Sequence, residues 1–96
     1  MNRRLKKKIY HTAINKWGVG LQLGMLMEEC AELIQATHKV MRKGEVEQWE
    51  QLAEEMADVE IMIEQLKLTI NWQSLEEKTE SYKEAKLLRL KELVDI

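Results

Sequence analysis

The chain has no proline, no phenylalanine, four glycines and one cysteine among 96 residues. Loop-rich β folds place proline and glycine at their turns, so the scarcity of both excludes that class and leaves helices with short connections. Cys30, alone, cannot close an intramolecular disulfide. There is no signal-peptide pattern and no apolar run long enough to span a bilayer, and the expectation is a soluble cytoplasmic protein without a membrane partner. Neither sign of charge dominates: 17 acids against 15 lysines and arginines leave a formal −2, which by itself points to neither nucleic acid nor an anionic surface.

What is present is an all-α pattern interrupted at Gly18-Val19-Gly20, Lys43-Gly44 and Ile70-Asn71-Trp72. The breaks predict one domain over residues 1–96 made of four helices, at about Leu5–Lys16, Leu21–Arg42, Val46–Thr69 and Leu75–Leu93. Gly44 reads as the C-terminal cap of the second helix, Ser74 with Glu77 as a capping box for the fourth, and Gly24 as a kink or a close helix contact. Residues 1–8 carry Arg3, Arg4, Lys6, Lys7 and Lys8. Without a recognition motif or interleaved aromatics, this run reads as a solvated terminal segment rather than a nucleic-acid contact.

The second and third helices carry the chemistry. Glu28-Glu29-Cys30-Ala31-Glu32 and Glu54-Glu55-Met56-Ala57-Asp58 each repeat a carboxylate at a three-residue interval. That spacing puts Glu29 with Glu32, and Glu55 with Asp58, on one side of their helices, so two antiparallel neighbours direct four carboxylates into one gap. The apolar stripes run through Leu23, Leu26, Cys30, Leu33, Thr37 and Met41, and through Leu52, Met56, Val59, Ile63, Leu66 and Ile70. Cys30 thus reads as core. Glu60, Glu64 and Lys67 form the evident solvent side of the third helix, and Glu55 and Asp58 point away from it, toward a second packed surface. Like charges turned inward repel one another and lose hydration, a costly arrangement in a small chain unless a cation fills the gap. Oxygen donors alone suit Mg²⁺, with Mn²⁺ as substitute. Structural zinc prefers cysteine and histidine, and di-iron bundles use Glu-x-x-His, whereas His38 is preceded at that interval by Gln35.

With Glu28-Glu29-Cys30-Ala31-Glu32 followed by Glu55-Met56-Ala57-Asp58, and with Trp17-Gly18 and Gln22 ahead of them, the chain resembles the MazG-like, all-α nucleoside triphosphate pyrophosphohydrolases from about Trp17 to Lys86. The resemblance implies a four-helix protomer, assembled as a dimer or dimer-based tetramer, that cleaves a nucleoside triphosphate between the α and β phosphates. It makes Glu29, Glu32, Glu55 and Asp58 the Mg²⁺ ligands and Glu28 and Glu29 the catalytic candidates. Glu28 is left with three open roles: orienting water, binding a further metal or holding a base. Lys78, Lys86 and Arg89 on the last helix are the implied phosphate contacts, although Ser81-Tyr82-Lys83 departs from the asparagine and arginine common in relatives. Lys39, Arg42 and Lys43 are weaker candidates, since a helix C-terminus attracts bases for its dipole alone. Trp17 and Gln22 are the base-binding candidates, while Trp49 and Trp72 read as core or interface residues and His38 as structural. Two other readings stand beside this one: a noncatalytic helical interaction protein, associated with nucleic acid through residues 3 to 8, and a phosphoribosyl-ATP pyrophosphohydrolase.

Overall fold

A computed structural model describes residues 1–96 as four helices and no strands: α1 (Arg3–Trp17), α2 (Val19–Arg42), α3 (Val46–Thr69) and α4 (Leu75–Leu93). No helix is long and apolar enough to cross a membrane. The last two helices coincide with the predicted bounds. The first starts two residues earlier, and both extend toward each other as far as Trp17 and Val19, because Gly18 alone breaks the chain between them. Its φ of 86° lies in the region open to glycine, and Val19 and Gly20 already belong to α2.

Three of the predicted local devices are replaced by others. Gly44 has no left-handed backbone, and α2 instead ends at Lys43. Glycine is favoured at 44 because a Cβ there would meet the Val40 carbonyl oxygen at 3.2 Å. Ser74 adopts φ 58°, ψ 56° and makes no side-chain cap, so the Ser74–Glu77 capping box does not form. Reciprocal help appears at α3, where the Glu45 N–H donates to Gln48 Oε1 at 3.2 Å. Gly24 sits in an unbroken helix with open space where its Cβ would be, so it marks no close contact. The basic run is largely exposed, in keeping with the solvated reading, but it is helical and partly paired. It forms the first turns of α1, where Arg3 makes a bidentate pair with Glu76 (2.8 and 2.9 Å) and Lys6 lies 3.4 Å from Glu64.

α2 and α3 form an antiparallel pair that is the main packing unit; α1 lies across both, and α4 packs on α3. Register follows from residue pairs across the α2–α3 seam. The Gln65 amide donates to Gln22 Oε1 at 2.6 Å, both side chains being buried. Seven residues up α2 and seven down α3, Glu29 meets Asp58; three further, Glu32 meets Glu55. The seam-facing row of α2 therefore contains Gln22, Glu29, Glu32 and Ala36, at helical spacing.

The acidic row, not the apolar stripe, thus faces the neighbouring helix. Leu26, Cys30 and Leu33 are only half-buried, Leu23 and Met56 are exposed, and Met41 is 80% exposed. Cys30 is accordingly not a core residue. Buried hydrophobic residues are confined to Tyr10, Ala36, Val59 and Met62. The physical reason is geometric: α1 is too short to cover the outer faces of two longer helices. Trp49 and Trp72 are likewise exposed rather than in a core. Accessible surface is 7815 Å², against about 5,800 Å² for a compact monomer of 11.4 kDa. The radius of gyration, 16.1 Å, compares with about 12.5 Å for a compact chain of this length.

Candidate metal centre

The acidic seam gathers three of the four expected carboxylate ligands tightly. One oxygen from each of Glu29, Glu32 and Glu55 lies within 4.8 Å of the other two. Asp58 is half-buried and faces Glu29, but falls outside that trio. Glu29 and Glu55 are half-buried and Glu32 is exposed, so the cluster is open on the Glu32 side. Oε2 of Glu29 and Oε2 of Glu55 are buried without any hydrogen-bond partner. Buried polar atoms nearly always have partners, and an unpaired carboxylate oxygen is more costly than an unpaired neutral acceptor.

Electrostatics report the same crowding. Burial, followed by the charges of Glu32, Asp58 and Glu55, pushes the Glu29 carboxyl up to about 7. Burial and the proximity of Glu32 raise Glu55 as well, with Asp58 and Glu54 adding to the effect. No lysine or arginine pairs with any of these carboxylates. By contrast, Glu64 is held below the ordinary carboxylate range by the Tyr10 hydroxyl, which donates to it at 2.8 Å, and by Lys6. Glu80 is lowered by its pairing with Lys67. Where this fold needs a carboxylate merely to be stable, it supplies a partner; on the acidic seam it supplies more carboxylates.

The remaining expected site residues are placed differently. Glu28 is exposed and no part of the trio. Gln22 is 5% exposed with its carbonyl oxygen occupied by Gln65, so it is a seam residue and not an open contact for a base. Trp17 is exposed at the end of α1, with Lys16 Nζ 5.3 Å from its ring centre. About 16 Å of α2 axis separates the adjoining Gly18 from Glu29. Lys78 donates to Gln73 and lies over Trp72, and every residue from Glu80 onward is exposed, Lys86 and Arg89 included. α4 makes no packing contact with α2, so within one protomer its bases do not border the acidic trio. Gln65 was not anticipated from sequence, although its place seven residues after Asp58 puts it on the same face. A concavity of about 670 Å³ around Trp49 contains Glu45, Glu47 and Glu50 and lies at the α2–α3 turn, apart from the trio.

No protein-family model, curated protein or solved structure matches this chain.

Proposed function

We propose that the protein is a Mg²⁺-dependent nucleoside triphosphate pyrophosphohydrolase of the MazG-like kind, acting in nucleotide-pool house-cleaning. The observation that carries this reading is the pair of buried, unpartnered carboxylate oxygens within a three-carboxylate cluster bridging two helices. Such a donor set, all oxygen and negatively charged, fits a hard divalent cation, with Glu29, Glu32 and Glu55 holding it and Asp58 completing the set. When bound, the metal neutralises phosphate charge and makes water a better nucleophile near neutral pH.

The residues themselves supply binding and proton handling. The open side at Glu32 admits a polyphosphate, and the half-buried Glu29 and Glu55 limit the water around the reacting phosphorus. In the reaction a water oxygen bonds to the α-phosphorus while the bond to the α–β bridging oxygen breaks. The electron pair leaves with pyrophosphate. A carboxylate beside the attacking water accepts the proton. Glu28 is too exposed and too separate to be the first choice.

The functional unit is a homo-oligomer, a dimer or a tetramer built from dimers. Its support is the excess of roughly 2,000 Å² of surface per protomer over a compact monomer, more than the roughly 800 Å² that each partner contributes to a standard interface. Leu23, Met41, Met56 and Ile63 belong to that exposed apolar surface. Pyrophosphate release from a panel of canonical and modified nucleotides, with phosphoribosyl-ATP included, tests the activity with and without Mg²⁺. Turnover that requires Mg²⁺ and is lost in Glu32→Ala and Asp58→Ala is expected. Absence of metal-dependent turnover across the panel would overturn the reading. Sedimentation as a stable monomer would overturn the assembly.

A further inference from the structure

The acidic seam has one end that carries free positive charge. A cavity of about 370 Å³ opens on Glu32 and Glu55 and runs between α2 and α3 past Gln35 and Gln51 to Lys39. Lys39 also borders a second cavity of about 440 Å³, shared with Arg42, Lys43 and Gln48. Along α2, Lys39 continues the seam-facing row of Glu32 and Ala36 by one further turn. Neither Lys39 nor Arg42 is in an ion pair; Lys43 alone has an acid near it, Glu45 at 3.8 Å. A helix C-terminus accounts for bases in its last turn, but not for one of them lining the same cavity as two carboxylates of the metal cluster.

The bases of α4 are at the opposite end. Glu80 pairs with Lys67, just beyond the Gln22–Gln65 contact, and about 25 Å of α2 axis separates Gln22 from Lys39. Within one protomer, a polyphosphate whose α-phosphorus lies at the carboxylates finds its adjoining cation at Lys39. We infer that Lys39, backed by Arg42, forms the pyrophosphate-binding end of the groove, in place of Lys78, Lys86 and Arg89. The inference rests on the pyrophosphohydrolase reading, and it names the group that holds the leaving portion of the substrate. Glu54, on the cavity wall, adds repulsion that favours a metal-chelated anion over a bare one.

The test is calorimetric titration of the full chain with inorganic pyrophosphate in Mg²⁺, using wild type, Lys39→Gln, Lys39→Arg and Lys78→Gln. Lys39 is exposed, so its substitution is expected to lower the melting temperature by no more than the few degrees that a charge in the last helical turn contributes. The expected result is at least about tenfold weaker pyrophosphate binding in Lys39→Gln, recovery in Lys39→Arg to within about threefold of wild type, and no change beyond about twofold in Lys78→Gln. Three results would overturn the subsite: no pyrophosphate binding by wild type, wild-type affinity in Lys39→Gln, or an equal loss in Lys78→Gln. Nucleotide turnover measured in parallel separates the two claims. Turnover with Lys39-independent pyrophosphate binding removes the subsite and keeps the hydrolase; Lys39-dependent binding without turnover removes the hydrolase and keeps the anion site.

Discussion

Replacing Gln22 by leucine tests whether one buried amide pair sets the helix register on which the acidic seam depends. Gln22 and Gln65 are 5% and 4% exposed and joined at 2.6 Å, so removing one amide leaves the other without its protein partner in the interior. Leucine has a volume similar to that of glutamine, so little cavity is opened, and the cost is mainly that of the orphaned amide, about 1–3 kcal/mol. For a chain of this size each kcal/mol moves the melting temperature by about 4–8 °C, which puts Gln22→Leu roughly 4–24 °C below wild type. Gln22→Leu combined with Gln65→Leu removes donor and acceptor together, and the double variant should recover most of the loss. Urea unfolding followed by far-ultraviolet circular dichroism, at one fixed protein concentration because assembly contributes to stability, measures all four proteins. The coupling energy of the cycle should be about 1–3 kcal/mol. A single variant within about 0.5 kcal/mol of wild type, or a double variant showing the full sum of the single losses, would refute the role assigned to the pair.

Two further outcomes follow from the site and its approach. The native Glu29 carboxyl holds its proton to about pH 7, against 4.5 for an ordinary glutamate, so the metal-free protein should lose stability as pH rises through that window and level off above it. Glu29→Gln should flatten this dependence and raise metal-free stability at pH 8; Mg²⁺, competing with the proton, should stabilise wild type increasingly from pH 5 to pH 8, as thermal unfolding with and without chelator would record. Gly18→Ala meets open space but forces φ 86° on an alanine, which should cost about 1–3 kcal/mol by chemical denaturation; a gain in stability would show that the turn does not require glycine.

Much of the fold was legible along the chain because helical periodicity and its breaks are local. Val46–Thr69 and Leu75–Leu93 lie between interruptions at Lys43-Gly44 and Ile70-Asn71-Trp72, and both helices form over those residues. Cap chemistry was less legible. Ser74 with Glu77 has the residues of a capping box but not the backbone, whereas Gln48 acts on Glu45 without the usual serine or threonine. Cys30 was read as core, and Trp49 and Trp72 as core or interface, on hydrophobicity, a property that does not say how much neighbouring helix exists to cover them.

The amino-acid sequence by itself determined that the protein is helical, that its two longest helices return antiparallel, and that Glu29, Glu32, Glu55 and Asp58 occupy matching sides of them. These follow from local propensity and a 3.6-residue period, which need no knowledge of neighbours. The tertiary structure decided that most of the apolar stripes stay uncovered, and that the inward acidic row is locked in register by Gln22 on Gln65. It also decided which bases border that row: Lys39 and not those of α4. Those outcomes depend on register and on the direction in which the last helix leaves the pair, both set by contacts between residues far apart in the chain.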